Sequence, residues 1–121
     1  MIQRFEIAGV HTNVDDKLKQ YVTKKIGKLD KYLPRTLRDA AHAEVKLKEN
    51  KAKSNKVLYA CEVTLHLPGE TLQVQESTLN SYAAVDIVEE KLKHQLQKYK
   101  DQHTGVRIHR RVIRRLKNGG R

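Results

Sequence analysis

The chain's 121 residues leave room for one domain of roughly 100–150 residues and a tail, so a multidomain enzyme is not expected. Its apolar runs are too short for a membrane span, Met1–Glu6 has no signal-peptide stretch, and Cys61, the single cysteine, leaves no internal disulfide or multi-cysteine zinc site; a soluble, cytoplasmic protein is expected. The net charge is +11 and unevenly placed: residues 1–92 hold 15 basic and 13 acidic side chains, residues 93–121 hold 10 and one.

Ile2 to Ala8 alternates around Phe5 and Ile7, with Arg4 and Glu6 between them, and predicts a short strand. Gly9 to Thr12 reads as a connection. Asn13 suits a helix N-cap, with Asp15 and Asp16 in the first turn. Val14, Leu18, Val22, Ile26, Leu29 and Leu33 then recur three and four apart, as in an amphipathic helix ended by Pro34. Ala43, Val45 and Leu47 alternate with Glu44, Lys46 and Lys48 in a second strand, and Glu49 to Lys56 is a polar loop. Val57, Tyr59, Cys61, Val63, Leu65 and Leu67 form a long period-two series, the third strand. Pro68-Gly69 marks a tight turn, after which Thr71 to Glu76, with Leu72 and Val74 on one side, completes a hairpin. Asn80 can cap a second helix whose stripe is Ala84, Val85, Val88, Leu92, Leu96 and Tyr99, broken at Thr104-Gly105. The order β-α-β-β-β-α predicts an α+β domain over residues 1–102: a four-stranded sheet, both helices on one face, the other face more polar. A basic tail occupies residues 103–121.

Catalysis finds little support. None of the six histidines forms an H-x-x-x-H or H-E-x-x-H pair. His42 and His66 fall at strand positions beside Glu44 and Glu62, which also suits half-exposed strand residues. Cys61 lies in an apolar series and reads as a small buried hydrophobe. No Gly-rich phosphate loop is present. No catalytic residue, metal, cofactor or small-molecule substrate is therefore expected.

The excess of cations points instead to a polyanion, with RNA, DNA and anionic membrane as candidates. At 100° per residue, Lys17, Lys24, Lys28 and Lys31 fall within about 60° of one another, opposite the apolar stripe, with Lys25 on the flank. That stripe holds no acid, which favours a phosphate-contacting ridge. On the second helix Lys91 and Lys98 share one flank, and Lys93 and Lys100 the other, with Glu89 to Lys93 an i,i+4 pair. In the tail, Arg107, Arg110, Arg111, Arg114 and Arg115 share one helical face, opposite Val106, Val112, Ile113 and Leu116. A membrane-surface helix, an RNA arm that orders on contact and a solvated tail compete there. The short apolar side without Trp or Phe, and arginine's bidentate fit to phosphate, favour the RNA arm.

A more specific likeness lies in Tyr82-Ala83-Ala84-Val85-Asp86 followed by Lys91-Leu92-x-x-Gln95-Leu96-x-Lys98-x-Lys100. With Val22, Lys25, Lys28 and Leu29 in the first helix, and the position of the Pro68-Gly69 hairpin, it resembles the ribosome hibernation promoting factor and ribosome-associated inhibitor family over residues 2–102. The resemblance implies a β-α-β-β-β-α domain on the small (30S) subunit or 70S ribosome. It implies a seat in the mRNA and tRNA channel and inhibition of translation by occlusion in resting or stressed cells. It also implies contacts to 16S rRNA through Lys25, Lys28, Lys31, Lys91, Lys98 and Lys100. The chain has His94 where the family often has Arg, and Asn80 where it often has Asp. Long members carry a second, ribosome-dimerising domain; this chain is expected to be of the short type. Adding the ridge and the tail, the candidate RNA-binding residues are Lys24, Lys25, Lys28, Lys31, Lys91, His94, Lys98, Lys100, Arg107, Arg110, Arg111 and Arg114. The rival reading is a general double-stranded RNA-binding domain, whose element order is similar. That module usually has a lysine cluster at the start of its last helix, where this chain has Leu79-Asn80-Ser81-Tyr82. A small RNA-processing enzyme using His66 and Glu62, and a membrane-surface protein using residues 106–117, complete the alternatives.

Overall fold

Four strands form one mixed sheet in the order β1-β2-β3-β4: β1 Arg4–Val10, β2 His42–Lys51, β3 Val57–Leu67 and β4 Glu70–Thr78. In the computed structural model the described residues are 1–10, 12–51 and 56–102. β1 runs parallel to β2, while β2–β3 and β3–β4 are antiparallel. A parallel neighbour needs a crossover, and the segment from α1 (Asp16–Gly27) onward supplies it. Register stacks the apolar positions in rows across the strands: Phe5–Ala43–Leu65–Leu72 and Ile7–Val45–Val63–Val74. These rows, the buried residues of α1 (Leu18, Val22, Ile26) and the apolar stripe of α3 (Ser81–Lys100) form one core. The fold is α+β, and all six predicted stripe residues of the last helix are buried. No buried side-chain nitrogen or oxygen among the described residues lacks a partner. No helix there is long and apolar enough to cross a membrane.

Boundaries differ from the sequence reading at informative places. Ile2 lies outside the first strand; its side chain is buried, and its amide donates to the Gly27 carbonyl at 2.9 Å. The strand continues through Gly9, where a Cβ would sit 2.5 Å from the Thr12 carbonyl oxygen; the close approach requires a residue without a side chain. The N-cap is Asp15 rather than Asn13: its carboxylate accepts from the Leu18 amide at 2.7 Å. The first helix does not run to Pro34. It ends at Gly27 and continues as a 3-10 helix over Lys28–Tyr32. A three-residue turn eclipses positions i and i+3, so Leu29 follows Ile26 into the core. Leu33 is extended (φ −94°, ψ 148°), as the residue before proline prefers. One unforeseen helical turn follows, α2 Arg35–Arg38, with the Arg38 guanidinium donating to the Leu33 carbonyl at 3.1 Å.

The hairpin and the last cap agree with expectation. Gly69 has φ 80°, the left-handed conformation that follows proline in a type II turn. The Asn80 side chain accepts from the Tyr82 and Ala83 amides at 2.7 and 3.3 Å. Tyr99, buried at the far end of α3, donates its hydroxyl to the Pro68 carbonyl at 2.8 Å, tying the helix end to the hairpin turn.

Candidate nucleic-acid interface

The helical side of the domain carries the candidate lysines, and the folding of α1 decides which of them meet α3. Lys24 lies exposed on the outer ridge. Lys25, one residue on, turns towards α3. Its ammonium lies 3.8 Å from Asp86 and 3.7 Å from Glu89, and 5.6 Å from the centre of the Tyr21 ring. Tyr21 donates its hydroxyl to Asp86 and stacks edge-on against Tyr82, ring centres 4.9 Å apart. The bond to Asp86, then partial burial, then the neighbouring negative charges push the Tyr21 phenol up to about 12. Lys25 thus joins the two helices, with its charge offset by two carboxylates.

The 3-10 turn gives Lys28 and Lys31 another setting. Both are exposed and, among the described residues, neither forms an ion pair. Together with Lys25, Leu29, Tyr32, Lys93 and the carboxylates Glu89 and Glu90 they line a shallow cleft of about 180 Å³ between the helices. Lys31 lies 5.2 Å and Lys93 5.7 Å from the centre of the Tyr32 ring. The negative ring face attracts both ammonium groups, and so gathers cations from two elements that would otherwise repel. An anion small enough for the cleft meets three ammoniums with no carboxylate paired to them. In the sequence Lys93 sits on a helix flank beside Glu89, reads as helix support and is not among the candidates. Its signal is its position on the flank opposite Lys91, but only the fold shows that this flank faces the 3-10 turn.

The other candidates on α3 point away from this cleft. Lys91 pairs with Glu76 of β4. His94 is exposed and 3.8 Å from Glu90. Lys98 borders a groove between α3 and β4 with Gln73 and Gln95. Lys100 is exposed at the helix end. The candidate lysines of the two helices therefore divide between a cleft at the 3-10 turn and a more polar flank along β4. Arg107, Arg110, Arg111 and Arg114 lie outside the described residues, as does the rest of the predicted arm.

The catalytic candidates separate. Glu62 does not accompany His66; it lies 3.8 Å from Lys48, and the carboxylate near His66 is that of Glu44, at 3.6 Å. Cys61 is fully buried, and burial, with Glu62 nearby, pushes its thiol up to about 12. A thiol held so far above neutrality carries almost no thiolate, in keeping with its reading as a core residue.

Comparison with known proteins adds to this geometry. Residues 5–104 match the family described as Sigma 54 modulation protein / S30EA ribosomal protein. The chain is 36% identical over 97 residues to a protein named ribosome hibernation promotion factor from Staphylococcus aureus (strain COL), covering 80% of this chain and 48% of that one. It is 38% identical over 98 residues to a protein of the same name from Lactococcus lactis subsp. cremoris (strain MG1363), covering 80% and 49%. The chain thus spans about half the length of the curated relatives it matches. Among solved structures, it is similar to the Thermus thermophilus Protein Y N-terminal domain (TM-score 0.64, 26% identity, 78% of this chain and 94% of that one). It is also similar to a ribosomal subunit interface protein from Coxiella burnetii (TM-score 0.66, 25% identity, 81% and 98%).

Proposed function

This chain belongs to the Sigma 54 modulation protein / S30EA ribosomal protein family, and from that premise we propose that it is a ribosome hibernation factor. It binds the small subunit, alone or in the 70S ribosome, in the channel used by mRNA and tRNA. It inhibits translation by filling that channel under resting or stress conditions. The observation that carries the reading is the interhelical cleft, where Lys28, Lys31 and Lys93 gather without an ion-pair partner among the described residues.

The mechanism is occlusion and not turnover. A compact body buries its apolar rows against two helices, and the outer surface of those helices presents ammonium groups to 16S rRNA phosphates. Lys24 extends the contact along α1, Lys98 and Lys100 continue it along α3, and the cations of residues 103–121 add affinity. Lys25 and Lys91, already paired with carboxylates, contribute less than their positions in the sequence imply. A general double-stranded RNA-binding module is not favoured beside the family membership. A ribosomal partner places the protein in the cytoplasm.

Sucrose-gradient sedimentation of ribosomes with the added protein tests the proposal, together with translation in vitro. Co-sedimentation with 30S subunits and 70S ribosomes and reduced translation are expected. Protein that stays at the top of the gradient at physiological salt overturns the reading.

A further inference from the structure

The open face of the sheet, turned away from both helices, carries a cluster outside the ribosome contact proposed above. His42 and His66 are direct cross-strand partners on β2 and β3, their rings 5.4 Å apart. Glu44 is two residues along β2, on the same face. Donor atoms of His42, Glu44 and His66 all lie within 4.8 Å of one another. Glu6, on β1, is 3.5 Å from the His42 Nε2, and Glu44 is 3.6 Å from the His66 Nε2. Two imidazoles and two carboxylates from three adjacent strands thus converge.

We propose that this cluster is a binding site for a late first-row divalent cation of the zinc class. His42, His66 and Glu44 are its ligands, and Glu6 stands beside the fourth position. Imidazole nitrogens with carboxylate oxygens suit such ions, whereas magnesium and calcium prefer oxygen alone. Around a tetrahedral ion with bonds of 2.0–2.2 Å, donor atoms lie about 3.3 Å apart. The present separations close to that by side-chain rotation, because all three ligands are only half-buried. The backbone need not move: direct cross-strand partners hold their Cβ atoms about 4.5–5.5 Å apart. The ion needs unprotonated imidazole and carboxylate ligands, so binding weakens in acid. Two carboxylates balance the charge of the ion. Of the other charged groups on this face, Arg4 is the neighbour of His42 on β1 and opposes binding, while Lys46 and Glu62 face each other one row beyond Glu44. On β4 the corresponding positions are Thr71 and Gln73, both uncharged. The sequence alone predicts no metal because its histidines show no helical spacing; these two meet across a ladder, where spacing in the chain is 24 residues. A bound ion ties β1, β2 and β3 together on the side opposite the basic cleft.

The test uses the full chain, freed of metal with a chelator and titrated with Zn²⁺ by calorimetry and with Co²⁺ by visible absorption. One equivalent of Zn²⁺ is expected, with Co²⁺ bands of a tetrahedral nitrogen–oxygen site and a rise in Tm. His42→Gln, His66→Gln and Glu44→Gln each weaken Zn²⁺ binding at least about tenfold, since loss of even an outer-shell partner costs 10–100-fold. They also abolish the Co²⁺ bands and the shift in Tm. His94→Gln, on α3, leaves all three unchanged. Circular dichroism confirms that the variants fold, and these positions are half-exposed, so replacement leaves no cavity. Absence of saturable Zn²⁺ binding, or a weakening smaller than tenfold in His42→Gln and His66→Gln, overturns the proposal.

Discussion

On the helical side, Lys31 and Lys93 lie against the Tyr32 ring and Lys28 lines the same cleft, all three without ion-pair partners among the described residues. On the open face of the sheet, basic and acidic side chains are matched: Lys48 with Glu62, His42 with Glu6, His66 with Glu44. The cause is geometric. Ladder register sets these basic and acidic side chains on adjacent strands two residues out of line, within diagonal reach of one another. A 3-10 turn and a helix packed side by side share no such register, so their lysines are left over. A domain whose first 92 residues have nearly balanced charge can therefore present one neutral face and one basic face.

The two faces differ most in what they contribute to stability. Leu92 is fully buried beneath the helical side, and Leu92→Ala should cost about 2–5 kcal/mol through lost transfer energy and the cavity left behind. Gln73, exposed on the open face, should tolerate Ala within about 0.5 kcal/mol. Urea unfolding of both variants measures the contrast; equal costs would mean that the core does not lie between helices and sheet.

Charge extends the comparison beyond the described residues. Residues 103–121 hold seven Lys or Arg and no acid, with few apolar groups to add to a core. Truncation after Gln102 should leave Tm nearly unchanged. It should lower the slope of log affinity for ribosomes against log salt by up to about five or six units, at roughly 0.7–0.9 for each phosphate no longer neutralised. A slope unaffected by truncation would show that the tail does not meet RNA.

Within the body, the trio Lys28, Lys31 and Lys93 should behave differently from any lysines of the open face. Changing all three to Ala should reduce the salt slope by about two to three units, with stability nearly constant. Changing Lys46 and Lys48 to Ala should leave ribosome binding as it was. If the open-face pair weakens binding and the cleft trio does not, the assignment of faces is reversed.

Much of this is legible in the sequence, for identifiable reasons. The last helix can be read correctly because its cap and stripe are local: Asn80 bonds amides two and three residues on, and six apolar residues keep the helical period. The alternation of Val57 to Leu67 gives β3 its full length. The change from α to 3-10 at Lys28 is not legible. Ile26, Leu29 and Leu33 fit either helix at spacings of three and four, and burial of Leu29 chooses between them. The neutralisation of Lys25 and Lys91 is equally hidden, since the partners lie 61 and 64 residues from Lys25 and 15 from Lys91. The pairing of His66 with Glu44, and not with Glu62 four residues away on its own strand, depends on register, which alternation alone does not fix.

The smallest effect concerns the acidic corner that joins the helices beside the basic cleft. Tyr21→Phe removes the hydroxyl that donates to Asp86, and near neutrality this exposed bond should be worth no more than about 1 kcal/mol. Its dependence on pH is more diagnostic than its size. The native phenol is held up at about 12 by Asp86 first, then by partial burial, against an ordinary value of 10.0. Between those values the native state keeps a proton that the unfolded chain releases, so stability falls as pH rises. The advantage of Tyr21 over Phe should be full below pH 10 and lost as pH approaches 12. Urea unfolding of both proteins at intervals from pH 8 to 11.5 follows the difference, from which contributions common to the two proteins largely cancel. A difference that stays level across this range would mean that Tyr21 does not donate to Asp86, and that Lys25 and the ring contact of Tyr21 with Tyr82 join the helices at that corner.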